Sequence, residues 1–401
     1  MKLDNIPFGP ADILLPAEGF EKWACVACDQ FTSEPKYWLD AEKAVGDAPS
    51  ALNIILPEVW LGRNDAERAC KINAEMERYL AGGVFNEYPD SMIYVERTLP
   101  NGAIRLGLVG AVDLEAYDYN VGSKSPVRAT EGTVLSRIPP RVSVREGAPL
   151  EMPHIMLLVD DVKRTVIEPL KALELPLLYD FELMLGGGHI RGYLVDRATH
   201  SDVIENIEKA LSLLAENTPD DGVLIAMGDG NHSLATAKEC YRRNPTKRNR
   251  YALAELVNIH DEALVFEPIY RVVFGCDPDE LLAECQKALT PGKNKIEWHT
   301  STSSGEISTG ELVTDVLQRI IDDYVAAHPA SECDYVHGVE STLTLVSEGD
   351  DRIAFIFDGM DKSELFPYVE KKGALPRKTF SMGEAESKRY YIEARRIDAK
   401  K

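Results

Sequence analysis

Short apolar runs bounded by polar turns alternate along this chain with stretches in which apolar residues recur every three or four positions, the pattern of a mixed α/β protein. Ile72, Met76, Tyr79 and Leu80 recur at helical spacing and are read as packing residues. Their helix is opened by Asn64-Asp65-Ala66-Glu67, which has capping-box character, and stopped by Gly82-Gly83. Met92-Ile93-Tyr94-Val95 and residues 104–109 predict a hairpin about Pro100-Asn101-Gly102. Residues 155–159 read as a buried strand, 183–195 as a hairpin around Gly186-Gly187-Gly188, and 201–215 as a helix with Ile204, Ile207, Leu211 and Leu214 inward. Residues 222–227 form a short apolar strand that the turn at 228–231 reverses, after which Ser233 is placed to N-cap a helix through about Arg243. Residues 251–259 and 263–274 form a second β-rich stretch, and 311–327 a helix with Val316, Ile320 and Tyr324 on its apolar face. Ser301 to Gly305 reads as an exposed linker.

A chain of 401 residues exceeds one ordinary core, and three segments are expected. Residues 1–90 are loop-rich and helical, 91–275 form a mixed α/β core carrying the turn at 228–232, and 276–401 form an α/β segment with a basic end. The balance of 44% hydrophobic and 27% charged residues is that of a globular protein. A net charge of −22 repels phosphate backbones, so no nucleic-acid partner is expected. Against that background the polar loop 122–133, with Arg137, Arg141 and Arg145 after it, stands out. The end from Leu375-Pro376-Arg377-Lys378 to Arg395-Arg396 is also basic, and reads equally as a wall of an anion site or a solvated tail. Apolar runs fall far short of the roughly 20 residues that span a bilayer, and Pro7, Pro10 and Pro16 interrupt the start, so neither a membrane span nor a signal peptide is expected and the cytoplasm is the default.

Seven scattered cysteines suit reduced thiols. Cys25-Val26-Ala27-Cys28 has the spacing of a redox pair or half a zinc site, but no second such motif and no neighbouring histidine completes a ligand set, so a half-buried structural pair is expected.

The chemistry centres on Gly228-Asp229-Gly230-Asn231-His232, where the apolar strand runs into a helix. Glycines here let backbone amides approach a phosphate, and the helix start adds roughly half a positive charge. Asp229 and His232 are ionisable groups at that start, able to serve as acid or base, although Asp229 can equally satisfy turn amides and His232 can equally be a packed first-turn residue. The spacing to Lys238 is not that of a P-loop, no early strand carries G-x-G-x-x-G, and the Asp-x-His that would accompany Gly-Asn-His in a metallophosphatase is missing.

The segment from Gly228 to Ala237 resembles the Asp-Gly-His-His-Arg turn of the bacterial family called domain of unknown function 1015. Thr130-Glu131-Gly132-Thr133 with Arg141 looks like that family's His-Glu-x-Thr segment and following arginine, the stretch 268–273 like its Pro-x-His-Arg strand, and 375–380 like its Lys-Ser-Thr segment. The turn is also similar to that of the ParB and sulfiredoxin superfamily, whose members bind nucleotide phosphates and include free-serine kinases. The resemblance implies a ParB/sulfiredoxin-like core, elaborated at both ends, with a strand–glycine turn–helix phosphate site. It implies a nucleotide-dependent phosphotransferase acting on a small hydroxy amino acid, with free L-serine as the expected acceptor, O-phosphoserine as product, and ATP or ADP with Mg2+ as cofactors. Carried onto this chain, amides of Gly228, Gly230, Asn231 and Ser233 cradle the phosphates, Asp229 or Glu131 accepts the hydroxyl proton, and His232 steadies the phosphoryl oxygens or shuttles a proton. Ser233 stands where the family has arginine, Asn231 where a first histidine is common, and Thr130 before Glu131 where a histidine is expected. The missing charge at the turn calls for a substitute, for which Arg141, Arg271 and Lys378 are the expected residues. The resemblance leaves the metal ligands and homo-oligomerisation open. Rival readings are a non-catalytic nucleotide-binding regulatory module of ParB-like type, a dithiol protein using Cys25 and Cys28, and a member that has lost catalysis.

Overall fold

The computed structural model describes Met1 and residues 5–400. The chain divides into two compact units, one holding Met1–Leu264, Val369–Gly373 and Glu384–Lys401, the other Val265–Tyr368 and Ala374–Gly383.

The first unit is built on a mixed sheet of eleven strands among the described residues. The expected hairpin lies near its middle, Phe85–Thr98 pairing antiparallel with Ile104–Asp113. Outward on one side come His189–Asp196 and Leu177–Glu182, joined through the glycines at 186–188. On the other side Tyr251–Asn258 pairs antiparallel with Ile104–Asp113 and parallel with Met156–Val159, and Ile225–Asp229 follows, antiparallel to Met156–Val159. Successive side chains on a strand point to opposite faces, and here both faces are covered. Met92 and Tyr94 pack with Leu108, Ile225 and Met227 against the helix Ser201–Asn217, through Ile204, Ile207 and Leu211. Ile93 and Val95 pack on the other side with Trp23 and Trp38, and with Ile72, Met76 and Tyr79 of the helix Asp65–Ala81. Burial on both faces explains why these strands read as near-continuous apolar runs.

The second unit is an antiparallel sheet in the order Ser304–Thr309, Asn294–His299, Arg352–Phe357, Phe266–Phe274, Glu332–His337, with Phe380–Met382 added to Phe266–Phe274. The helices Pro278–Ala288 and Val313–Ala327 bury Leu281, Cys285, Val316, Leu317 and Ile321 against it.

Three local expectations are corrected. Residues 301–305 are no linker but the tip of the hairpin between Asn294–His299 and Ser304–Thr309, closed by Thr300 N–H donating to Ser303 O at 2.8 Å. The helix Asp65–Ala81 lacks the capping box: Asn64 sits at φ 58 with no side-chain cap, and the Asp65 carboxylate instead accepts from the amides of Gly62 and Arg63. Ser233 is no N-cap, because the helix already starts at Asn231 with Gly230 in the cap position.

Candidate functional site

The strand Ile225–Asp229 runs between Met156–Val159 and Val127–Arg128, and its apolar half is fully buried. Its register slips at the end: Met227 faces Leu157 but Asp229 faces Met156, which leaves Gly228 as the extra residue of a bulge. Gly230 then adopts φ 82, which side chains resist, and a Cβ there would stand 3.1 Å from Ile155 Cα and 3.5 Å from His154 Cδ2. The helix Asn231–Arg243 begins at once. Its first ladder bond runs from Leu234 N to Gly230 O, so the amides of Asn231, His232 and Ser233 precede the intrahelical ladder. Such a helix start attracts negative charge.

Asp229 is held in this bend. Its Oδ1 accepts from Gly230 N–H at 2.9 Å, and its Oδ2 lies 3.3 Å from the Lys388 ammonium. His232 accepts from Val134 N–H through Nε2 at 3.3 Å, while its carbonyl accepts from Thr236 Oγ1. Thr130 Oγ1 donates to Met227 O at 2.7 Å. Two contacts of the 130–134 segment with the strand and turn therefore bracket half-buried Glu131 beside them. Asn231 Oδ1 is buried and without a hydrogen-bond partner.

Lys388 lies within the basic C-terminal end, in the part that returns to the first unit. Tyr390–Tyr391 pairs with Cys25–Val26, and this brings a second group of polar side chains together. His154 Nδ1 is 2.6 Å from Tyr391 Oη, which also accepts from Cys28 N–H at 3.3 Å. On its other side, His154 Nε2 is 3.5 Å from Asp29 Oδ2, and Asp29 Oδ1 accepts from Gln30 Nε2 at 2.9 Å. Burial would strip the proton from His154, but the adjacent Asp29 carboxylate, with Cys28 nearby, reverses this and raises its pKa well above the ordinary value. Burial likewise opposes ionisation of Asp29, yet His154, Gln30 and the Lys388 charge hold its carboxyl well below the usual range. Burial, with Cys28 and Asp29 nearby, pushes the Tyr391 phenol up. The Cys25 thiol is also pushed up by burial, which suits the packing role expected of it.

This assembly rests on buried ion pairs. Arg389 bridges Glu255 at 2.9 Å and Glu393 at 2.6 Å and donates to Pro153 O at 2.6 Å, fixing the backbone next to His154. Arg395 and Arg145 both pair with buried Glu151. The C-terminal end is thus no solvated tail: Arg389 and Arg395 are buried.

The other expected cations are placed as follows. Arg141 ion-pairs with Glu58 and donates to Arg137 O. Arg271 belongs to the second unit, where it is fully buried and bonded to Gln318 Oε1 and the carbonyls of Ile269 and Lys378. Lys378 belongs to the same unit, at φ 59. At the turn itself stand Lys388, 3.3 Å from Asp229, and His154, whose ring borders Gly230. Among the described residues no trio of His, Cys, Asp or Glu converges to hold a metal ion. Among them also, no helix is long and apolar enough to cross a membrane.

Fold and site together define a mixed α/β protein with an ionisable cluster at a strand–glycine turn–helix junction. The chain belongs to the family described as Protein of unknown function (DUF1015), whose model matches residues 10–396. No curated protein matches it. Among solved structures it is similar to a free serine kinase variant in complex with AMP, at 11% identity and a TM-score of 0.40, covering 69% of this chain and 92% of that one. A second variant of a free serine kinase, in complex with ADP, gives 11% identity and a TM-score of 0.39 over 69% and 91% of the two chains. A conserved hypothetical protein from Pyrococcus furiosus gives 12%, 0.35, and 70% and 96% coverage. Likenesses this distant carry no chemistry across.

Proposed function

We propose that this protein is a nucleotide-dependent phosphotransferase with a ParB/sulfiredoxin-like core, acting on a small hydroxy amino acid, free L-serine first. The observation that carries the reading is the Lys388 ammonium, 3.3 Å from Asp229 at the start of the helix Asn231–Arg243. A cation, a carboxylate and a helix N-terminus at one point are what phosphoryl transfer needs, since its catalysis is mainly positioning and electrostatic stabilisation.

In this reading the amides of Gly230, Asn231, His232 and Ser233 and the Lys388 ammonium hold the nucleotide phosphates. Lys388 supplies the charge that Ser233, in the place of the family's arginine, does not. Asp229 or Glu131 accepts the proton of the attacking hydroxyl, and His232 steadies the phosphoryl oxygens. A nucleotide-borne Mg2+ needs only one or two protein carboxylates, of which Asp229 would be one, and when bound it would neutralise phosphate charge.

The test is an assay of the purified protein with magnesium, ATP or ADP, and L-serine, reading O-phosphoserine by mass spectrometry. Product that disappears in Asp229→Ala, in a variant that still melts cooperatively, supports the reading. Nucleotide binding by calorimetry with no product from either donor overturns it in favour of a regulatory nucleotide-binding module.

A further inference from the structure

The phosphoryl transfer described above gives no task to the second ion pair. Asp29 and His154 stand 3.5 Å apart, longer than the roughly 2.7–3.2 Å of a well-formed N–H···O bond. Both are nevertheless fixed. Gln30 Nε2 holds Asp29 Oδ1 at 2.9 Å, Tyr391 Oη holds His154 Nδ1 at 2.6 Å, and Arg389 pins the Pro153 carbonyl next to His154. The pair also borders the turn, since His154 Cδ2 lies 3.5 Å from where a Cβ on Gly230 would be. Their exposure differs: the His154 side chain keeps 8%, whereas Asp29 keeps 29% and so presents one carboxylate edge outward. A carboxylate has about four lone-pair positions. Asp29 has one short side-chain hydrogen bond, to Gln30, and faces His154 at 3.5 Å, so lone-pair positions on this partly exposed carboxylate remain for a donor-rich cation.

We infer that Asp29 is the specificity-determining residue for the acceptor: it receives the acceptor's α-ammonium, with the His154 imidazolium beside it for the α-carboxylate. The inference rests on reading the turn as the phosphoryl-transfer site. Two further observations agree with it. Asp29 is held ionised well below the usual carboxylate range, and so weak a base suits the holding of a cation rather than the removal of a proton. The two ion pairs also balance one another, His154 and Lys388 against Asp29 and Asp229. A zwitterionic amino acid preserves that balance. A hydroxy acid brings an uncompensated negative charge beside the nucleotide phosphates, and leaving a buried charge unpaired is what sites discriminate against most strongly.

Calorimetric titration of the full chain, saturated with ADP, with L-serine, D-glycerate and ethanolamine tests this. The wild-type protein is expected to bind L-serine at least about tenfold more tightly than D-glycerate, and Asp29→Asn to remove most of that gap while binding D-glycerate within about twofold of the wild type. Asp29→Glu, which keeps the charge, is expected to restore a preference for L-serine, and thermal melting shows that each variant is folded. The inference is overturned by an unchanged serine-to-glycerate ratio in a folded Asp29→Asn, by wild-type preference for D-glycerate, or by no binding of any of the three. Phosphorylation of D-glycerate in preference to L-serine sinks the ammonium site but leaves phosphoryl transfer standing. Asp29-dependent serine binding without phosphoserine from either ATP or ADP does the reverse.

Discussion

Lys388 Nζ lies 3.3 Å from Asp229 Oδ2, and both side chains are largely shielded, at 11% and 22% exposure. An ion pair at that depth is screened less than a surface pair, and the Lys388 charge adds to the positive end of the helix dipole in attracting a bound anion. Lys388→Met is therefore expected to weaken ADP binding about 10- to 100-fold, while shifting thermal stability by about 1 kcal/mol or less. Calorimetry and melting of the same preparation separate the two effects. Unchanged ADP affinity in the variant would remove Lys388 from the phosphate site.

Gly230 carries a second prediction. At φ 82 an L-residue is strained, and its Cβ would press on the Ile155 backbone at 3.1 Å. Gly230→Ala should destabilise by about 1–3 kcal/mol, read as a lower denaturation midpoint with unchanged slope. An alanine variant as stable as the wild type would show that the turn relaxes freely, and would weaken the case for a rigid cradle.

The Asp29–His154 pair makes stability depend on pH in opposite directions at its two ends. His154 has a raised pKa in the folded chain. Its contribution is thus complete below about 6.5, the unfolded value, and is lost as pH rises from there through the folded value. Asp29 has a depressed pKa. Its contribution is complete above about 3.9 and is lost as pH falls through the folded value. Melting temperatures of wild type and His154→Gln, taken from pH 5 to 10 (about the span of ordinary titrations), should differ most at the acid end and converge as the pH rises. A difference that grows with rising pH would contradict a charged His154.

Much of this arrangement was legible in the sequence where the signal is local. The short β-rich runs at Met92-Ile93-Tyr94-Val95 and 104–109 predict the hairpin, the helical recurrence of Ile204, Ile207 and Leu211 predicts a helix, and Gly228 and Gly230 mark the turn, to which the structure adds a bulge and a left-handed residue. What was not legible depends on long-range pairing. Lys388 and Tyr391 reach the turn because Tyr390–Tyr391 joins Cys25–Val26, a two-residue pairing with no periodicity to announce it. The C-x-x-C segment likewise has no histidine near it in the sequence to complete a ligand set. In the folded chain Tyr391 Oη contacts both His154 Nδ1 and the Cys28 amide, which sets His154 beside that segment. Arg141, Arg271 and Lys378 lie at or beside segments that resemble family landmarks, whereas Lys388 lies at none, and its place 3.3 Å from Asp229 emerges only in the folded chain.

The same return explains why the site should be brittle. Arg389 is 5% exposed and is the shared partner of Glu255 and Glu393, themselves 3% and 1% exposed. Removing the guanidinium leaves two carboxylates in a low-dielectric interior, with only Arg105, 3.9 Å from Glu255, and the Tyr179 hydroxyl, 2.7 Å from Glu393, to compensate among the contacts described. Arg389→Met should accordingly cost about 3–5 kcal/mol, far more than loss of an exposed pair such as Lys36–Asp40. Arg389 also holds the Pro153 carbonyl, so the damage should not be confined to stability. At a temperature where the variant is still folded, His154 is expected to lose its fixed distance to Asp29, and L-serine binding to weaken more than ADP binding. If Arg389→Met melts like the wild type, the buried network is not what holds the C-terminal return in place. If it melts early but binds serine and ADP with unchanged affinities, Arg389 supports the fold without positioning His154.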